Sequence, residues 1–213
     1  GVDLTRTVVV NVVTIEEFRT KALKAVAKYL EMPIEERKPC MFVLDSLGML
    51  STEKEIRDAL DDKQVRDMTK SQLVKGAFRM LTLKLGQADI PLIVTNHTYD
   101  VIGSYVPTKE MGGGSGLKYA ASTIIYLSKK KEKDKTEVVG NIIKAKTVKS
   151  RLSRENKDVN IRLYFDERGL DRYYGLLELG ELGGLWKNVA GRYEINGKKI
   201  YAKEILKNPT DYF

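Results

Sequence analysis

CMFVLDSLGML, residues 40–50, is the stretch that decides the fold. Its apolar residues follow one another without alternation, which is typical of a strand buried on both faces of a parallel sheet. A second such run is IPLIVT (90–95), and an upstream run, TVVVNVV (7–13), is rich in β-branched residues, as strands are. Alternation of these strands with helices over 7–95 predicts an α/β fold with a mainly parallel central sheet.

Two helices are predicted between these strands. Thr14 is placed as the N-cap of an amphipathic helix over 15–31, because two glutamates follow it in the first turn. A second helix, over 69–85, has one apolar face, formed by Val74, Ala77, Phe78, Leu81 and Leu85. The charged segment 51–67 has no clean apolar face and is interpreted as a loop or a poorly ordered helix.

The pattern changes after residue 95. Residues 123–128 and 138–149 are predicted to be strands joined by the charged connection KKKEKDK (129–135), with a third strand at 159–165 continuing an antiparallel sheet. The tail is predicted to contain a helix at 173–183, a hairpin around Asn196-Gly197 and a short helix near 202–207. We expect two domains, a core over 1–170 and a small C-terminal helix and hairpin lobe over 171–213.

Composition narrows the class of protein. Lysine and arginine exceed aspartate and glutamate by 37 to 29, which gives a net charge of +8 and favours a polyanionic partner, although solvated lysine faces explain such an excess as well. The single cysteine, Cys40, is expected to be a buried small hydrophobe in a reducing compartment. No stretch approaches the roughly 20 apolar residues of a membrane span, so we expect a cytoplasmic protein that does not bind membranes.

Polar residues follow both apolar strands directly. Asp45 and Ser46 end the first, where an α/β sheet binds ligands and where a carboxylate can hold Mg²⁺ through water; the alternative is an aspartate that caps the next turn. Thr95, Asn96 and His97 end the second, and His97 can hydrogen-bond a phosphate or its attacking water. The other interpretation of His97, the only histidine, is a satisfied, semi-buried polar residue.

Two further patterns suit anions. The run EMGGGSG (110–116) precedes a predicted helix start, where backbone amides can bind phosphate, although it does not match a phosphate-binding P-loop and a flexible loop is the simpler interpretation. In TVKSR (147–151), Lys149 and Arg151 lie two apart on a predicted strand and so share a face, which suits an anion or a solvated surface equally.

A family resemblance lies in five stretches and their order along the chain: VLDSLGMLSTEKEIRDAL, RDMTK, TNHTY, MGGGSG and YYGLLELG. With these stretches the sequence resembles the RecA recombinase family, and most closely its phage UvsX branch. The resemblance extends from Gly1 to about Leu185. It implies a RecA-like ATPase core, ATP and Mg²⁺ as cofactors of the intact protein, and single-stranded and double-stranded DNA as partners. It also implies helical filaments on DNA, phage mediator proteins as further partners, a role in recombination and repair, and the cytoplasm of the host cell as location.

The resemblance also implies residue roles. Asp45 matches the Walker B carboxylate, with Ser46 beside it, and His97 falls at the polar sensor position that reads the γ-phosphate. The DNA-binding loops would be about 51–68 and 98–114. DNA contacts are expected from one set of residues: Lys75, Arg79, Gly113, Gly114 and Ser115. ATP bound to a neighbouring protomer is expected to be reached by Lys149 and Arg151, with Tyr164 or Phe165 packing near the nucleotide.

Three parts of the family pattern are not found in this sequence, and they bear on whether the chain can act alone. The Walker A loop, the catalytic glutamate and the N-terminal polymerisation segment have no candidates in this sequence, which begins at Gly1 rather than Met. We therefore expect a fragment or one half of a split recombinase that does not hydrolyse ATP or bind it tightly alone. The alternatives are a helicase-type ATPase on the same fold and a non-catalytic regulator that binds DNA or a recombinase.

Overall fold

The computed structural model describes residues 3–63, 67–101 and 109–212. The chain divides into two compact units, Gly1–Ala121 and Ser122–Phe213. The predicted boundary after residue 170 lies inside the second unit and stays a prediction. Parallel pairing in the first unit and antiparallel pairing in the second confirm the predicted mixed α/β class.

The core of the first unit is formed by two helices, α1 (Ile15–Glu31) and α3 (Lys70–Ala88). The hydroxyl of Thr14 accepts a hydrogen bond from the backbone N–H of Glu17, which confirms the predicted cap. The helices pack through the rings of Phe18 and Phe78, whose centroids are 6.2 Å apart. All five residues of the predicted apolar face of α3 are buried.

The parallel sheet has two strands in the described residues, β1 (Phe42–Leu44) and β2 (Leu92–Val94), paired in register from Phe42 opposite Leu92 to Leu44 opposite Val94. Leu44 is buried, but Val43 is 60% exposed, so the prediction of burial on both faces is wrong. Cys40 is exposed as well, contrary to prediction, because it precedes the first residue that joins the ladder.

The valine-rich run over 7–13 is not a strand, and this prediction is wrong. Val8 and Val9 are 88% and 80% exposed. Only an isolated bridge between Thr14 and Ser51 follows the run, and there Val13 O accepts a hydrogen bond from Ser51 N. β-branched residues fit a pleated, half-buried surface, and pairing with a neighbouring strand is what makes such a run a strand. None of the described strands pairs with this run.

The charged segment 51–67, between β1 and α3, contains a helix. The sequence alone predicted either a loop or a poorly ordered helix here. Helix α2 (Glu53–Leu60) begins at Thr52 with a capping box, in which the side chains of Thr52 and Glu55 each bond the other's backbone N–H. The predicted lack of an apolar face does not hold within this helix, because Ile56, Ala59 and Leu60 lie on one side of it, and the cap satisfies its first amides. Residues 64–66 lie outside the described residues.

After β2 the first unit ends with two short strands and a helix, β3 (Thr98–Asp100), β4 (Lys109–Met111) and α4 (Gly114–Ala120). The strands pair antiparallel, with Thr98 opposite Met111. Residues 102–108, within the predicted second DNA loop, lie outside the described residues.

The second unit begins with an antiparallel sheet of three strands, β5 (Thr123–Asp134), β6 (Glu137–Ser150) and β7 (Asp158–Tyr164). The charged run 129–135 is mostly strand rather than a connection, so that prediction is wrong. The reason is visible in the register: Lys129, Lys130 and Lys131 face uncharged partners across the ladder, namely Ile143, Ile142 and Asn141, so like charges do not oppose each other.

The tail forms a smaller sheet with two helices. Helix α5 (Leu176–Leu182) is followed by β8 (Lys187–Val189), β9 (Arg192–Ile195), β10 (Lys198–Tyr201) and α6 (Ala202–Lys207). Asn196 and Gly197 both have positive φ, 50° and 78°, as the predicted two-residue hairpin turn requires. Trp186, Ile195 and Ile205 form the buried centre of this part.

Candidate functional site

Asp45 and Thr95 directly follow the in-register pair Leu44 and Val94, so both lie at the carboxyl end of the two parallel strands. Three hydrogen bonds join the strand ends. Thr95 N donates to Leu44 O and Leu47 N donates to Thr95 O, each at 3.0 Å, and the hydroxyl of Thr95 donates to Asp45 Oδ1 at 2.6 Å. The predicted meeting of the two polar strand ends is therefore present, and Thr95 is what holds them together.

His97 lies at the same edge, two residues beyond Thr95. Its side chain is exposed, not semi-buried as the structural interpretation of the sequence assumed. The imidazole rests against the turn that follows β1: a Cβ built on Gly48 would be 2.6 Å from His97 Cδ2. Asp45 and His97, which are 52 positions apart, therefore belong to one surface through the turn at Leu47 and Gly48.

Asn96 connects this surface to the glycine run. Its side-chain amide donates to Gly112 O at 2.8 Å, and Gly112 N donates to His97 O at 3.1 Å. The Asn96 Oδ1 atom also accepts the backbone N–H of His97 at 2.9 Å. The sequence indicated that a histidine or amide at this strand end could relay a contact into the following loop, but it did not indicate that the amide of Asn96 would reach Gly112 O.

The glycine run turns sharply into α4. Gly113 and Gly114 have φ values of +90° and +73°, which glycine adopts without the steric strain that other residues meet there. Ser115 is exposed in the first turn of the helix. Helices α3 and α4 approach closely, since a Cβ on Gly116 would be 2.5 Å from Lys75 Cβ.

The structure therefore brings Lys75 next to the glycine run, as a shared DNA surface requires. Arg79 is exposed one turn farther along α3. Side chains four residues apart on a helix lie on one face, so the two cations and the exposed start of α4 offer positive charge and backbone amides together.

A buried carboxylate closes the segment predicted as the first DNA loop. Asp67 is 6% exposed and accepts hydrogen bonds from the hydroxyls of Thr52 and Thr69, at 2.7 and 2.6 Å, and from the backbone N–H of Thr69 at 2.9 Å. The bonds from Thr69 and Thr52 lower the pKa of Asp67 from 3.8 to about 2, with a smaller contribution from Lys54. Asp67 thereby joins the start of α2 to the start of α3.

The remaining predicted residues lie in the second unit. Lys149 is in β6, and Arg151 lies one residue past the end of that strand. The face that the two side chains were predicted to share stays a prediction. Arg151 N donates to Ser122 O at 3.0 Å, which ties this residue to the chain just before β5.

Tyr164 ends β7 within a cluster that the sequence did not indicate. The guanidinium of Arg168 lies 3.7 Å from the centroid of the Tyr164 ring and forms an ion pair with Asp166. Arg162 lies 4.6 Å from the centroid of Tyr174 and donates to Asp171 through two nitrogens, at 2.7 and 3.0 Å. Such stacked and paired guanidiniums are rigid, because each is fixed by a ring and a carboxylate at once.

The chemistry available for a metal is limited. The described residues include no group of three metal-ligating side chains, so a direct protein cage for an ion is absent from that part of the chain. Asp45 and Ser46 suit Mg²⁺ bound mainly by water and phosphate, which is how Mg²⁺ is usually held. Among the helices that the structure describes, none has the length and apolar character needed to cross a membrane.

Comparison with known proteins shows the family. A model of the RecA N-terminal domain matches residues 22–171. The "Recombination and repair protein" of Enterobacteria phage T4 is 34% identical over 211 residues, which cover 99% of this chain and 50% of the T4 protein. "Protein RecA" of Cereibacter sphaeroides and of Paracoccus denitrificans are 28% and 26% identical over 178 residues, 80% of this chain and 51% and 49% of those proteins.

The chain thus spans about half the length of the curated relatives it matches. The matched part contains the ends of both parallel strands, the glycine run and the antiparallel sheet. With the family model covering more than half of its residues, this chain belongs to the RecA family.

Proposed function

We propose that this chain is part of an ATP-dependent DNA strand-exchange recombinase that acts in homologous recombination and repair. The observation that carries the proposal is a path of two side-chain hydrogen bonds, from Asp45 to Thr95 and from the adjacent Asn96 to Gly112. A recombinase needs its nucleotide side and its DNA side to communicate, and this path joins a carboxylate at one end to a glycine run at the other.

On the nucleotide side, Asp45, with Ser46 beside it, would hold Mg²⁺ through water, and the ion would supply charge neutralisation at the phosphates of ATP. His97 is the proposed sensor: its exposed imidazole can donate a hydrogen bond to a phosphate oxygen, and its backbone carbonyl already accepts from Gly112. Lys149, Arg151 and Tyr164 are proposed to contact ATP bound to a neighbouring protomer.

On the DNA side, Lys75 and Arg79 are the proposed phosphate contacts, together with the backbone amides of Gly113, Gly114 and Ser115. Phosphate contacts carry no sequence information, so single-stranded DNA of any sequence should bind. Double-stranded DNA, filament formation and phage mediator proteins are proposed as partners of the complete protein.

The test joins this chain to the preceding half of a relative, the T4 protein. We expect ATP hydrolysis that single-stranded DNA stimulates, and helical filaments on that DNA by electron microscopy. Asp45→Asn should lower the turnover roughly 10²-fold, since metal-side charge stabilisation is worth several kcal/mol. Lys84→Gln is the control, because Lys84 is exposed on α3 and its ammonium group donates to Gln87 within the same helix, at 3.2 Å.

The outcomes separate the alternatives. Closed rings in place of helical filaments would favour a helicase-type ATPase. DNA binding without any hydrolysis in the joined protein would favour a non-catalytic regulator. An equal turnover in the Asp45→Asn protein would remove the proposed metal-side role of Asp45.

A further inference from the structure

Gly48 lies in close contact with the imidazole of His97, and a side chain at this position would have to displace the ring. It lies in the short 3₁₀ turn Leu47–Met49 after β1, and a Cβ built there would be 2.6 Å from His97 Cδ2 and 3.4 Å from Asn96 Oδ1. Its backbone does not require glycine, because Gly48 is not among the residues with positive φ. Space for the neighbouring imidazole is therefore the reason that this residue lacks a side chain.

The contact matters because it supports the ring of His97, whereas the hydrogen bonds described above hold its backbone. Its backbone is bonded to Asn96 and to Gly112, while its ring is exposed to solvent and has the turn at Gly48 as its support. An imidazole is planar and rigid, so a methyl group at residue 48 turns the whole ring away about its two side-chain torsions. The ring then no longer rests on the turn beside the backbone carbonyl of His97, which accepts the N–H of Gly112.

We propose that Gly48 is a positioning residue for His97. The imidazole packs against the backbone of Gly48, and this contact holds the end of β2 in the position at which His97 O accepts from Gly112 N. The inference rests on the proposed function, in which His97 is the sensor and the glycine run binds DNA. Gly48 acts only through His97 and touches neither ligand.

The first test uses the unmodified chain. His97 is the only histidine, so the imidazole gives one set of NMR signals without ambiguity. We expect a nuclear Overhauser effect between Gly48 Hα and the imidazole Hδ2. Its absence in the folded chain would overturn the proposal without any substitution.

The second test is a double-substitution cycle. Gly48→Ala should move the imidazole signals by several linewidths and speed hydrogen exchange at the Gly112 amide at least about fivefold, the lower end of common coupling effects. Combining it with His97→Ala removes the ring that the new methyl group displaces. Exchange in the double variant should then return to within about twofold of the His97→Ala protein, the limit for independent sites.

Gly86→Ala is the matched control, since a Cβ there meets nothing within 4 Å. It should leave both the imidazole signals and the Gly112 amide unchanged. Equal effects of Gly48→Ala with and without His97 would overturn the proposal. If Gly48→Ala alone does not fold, folding of the double variant gives the supporting result, and failure of both overturns it.

A third measurement separates this inference from the proposed function. An unlabelled oligo-dT strand added at low salt should move the amide signals of Gly112, Gly113 and Gly114 and the imidazole signals together. Movement of the glycines alone would overturn the positioning role of Gly48. If neither the glycine amide signals nor the imidazole signals move, DNA binding by the glycine run, and hence the proposed function, is contradicted. The hydrogen-exchange cycle would still test the contact between Gly48 and His97.

Discussion

Thr95 donates a 2.6 Å hydrogen bond to Asp45, fifty positions earlier in the chain. Its backbone N–H and carbonyl also bond to Leu44 and Leu47, so one residue holds the chain on both sides of Asp45. The carboxylate is thereby directed by its neighbour strand rather than by its own loop. One oxygen accepts the hydroxyl of Thr95, so Oδ2 is the oxygen that we propose faces water-bound Mg²⁺.

Removing the hydroxyl of Thr95 should destabilise the first unit. Thr95→Val keeps the size of the side chain but loses the bond to Asp45, and we expect a loss of about 1 kcal/mol in the free energy of unfolding, the usual net value of such a bond. Urea denaturation followed by circular dichroism measures it. Thr95→Ser retains the hydroxyl and is the control, which should lose less stability than Thr95→Val. An unchanged stability of the Thr95→Val protein would show that the bond to Asp45 does not stabilise the first unit.

Asp67 should make the first unit sensitive to acid in a defined window. Hydrogen bonds from Thr69 and Thr52 depress the pKa of Asp67 from 3.8 to about 2 in the folded chain. A depressed carboxyl pKa stabilises the fold above the unfolded value, so this stabilisation is fully present above about pH 4 and is lost as the pH falls towards 2. Urea midpoints measured between pH 5 and pH 2 follow it.

Asp67→Asn should remove this contribution to the pH dependence, because an amide does not titrate. Asp61→Asn is the control, since Asp61 is exposed and forms only a surface ion pair with Lys63. An unchanged slope in the Asp67→Asn protein would show that other groups cause the acid sensitivity.

The tail should depend on the close contact between Gly180 and Trp186. A Cβ on Gly180 would overlap the buried indole, whose N–H donates to Leu177 O at 2.8 Å. Overpacking of this kind costs up to about 3 kcal/mol, and alanine regains about 1 kcal/mol in a helix, so Gly180→Ala should lose about 2 kcal/mol. Trp186 is the only tryptophan, and its fluorescence during urea unfolding reports the change directly.

Leu182→Ala serves as the control for Gly180→Ala. Leu182 ends the same helix and is 85% exposed, so its truncation should change the stability by less than about 0.5 kcal/mol. Equal effects of the two substitutions would show that the contact between Gly180 and the indole does not limit the stability of the tail.

Lys75 and Arg79 should each set part of the salt dependence of DNA binding. Each phosphate contact to a single strand contributes about 0.7 to the slope of log K against log salt. Lys75→Gln and Arg79→Gln should therefore each reduce the magnitude of the slope by about 0.7, as measured by fluorescence anisotropy of a labelled oligo-dT over several salt concentrations.

Lys84→Gln is the matched control for these two substitutions. It lies nine residues after Lys75, which places it about half a turn round the helix on the opposite side. The same reduction in slope for Lys84→Gln would mean that general positive charge, rather than this face of α3, binds the strand.

Structural elements that are determined by residues close together in the chain were predictable from the sequence. The buried face of α3 follows from helical periodicity, the start of α1 from the cap at Thr14, and the last hairpin from Asn196-Gly197, whose positive φ values only a few residues tolerate. The meeting of Asp45 with the residues after β2 was also predictable, since parallel strands align their carboxyl ends.

Features that depend on distant partners were not predictable. Whether the valines of 7–13 form a strand depends on a neighbour, and whether the lysines of β5 form one depends on what faces them. Likewise, no local pattern indicates that Gly48 meets His97 or that Asn96 reaches Gly112, because both contacts are products of the tertiary fold.

The short ladder between β1 and β2 has a consequence for evolution of this site. With only three residue pairs, a slip by one position would shift Asp45 along the strand by about 3.3 Å and turn its side chain to the other side of the sheet. An insertion or deletion of a single residue between 45 and 92 is tolerable only where the connecting helices and turns absorb it. Insertions and deletions should therefore be found in related proteins around residues 61–63, far from both strands, and should be rare next to the ends of β1 and β2.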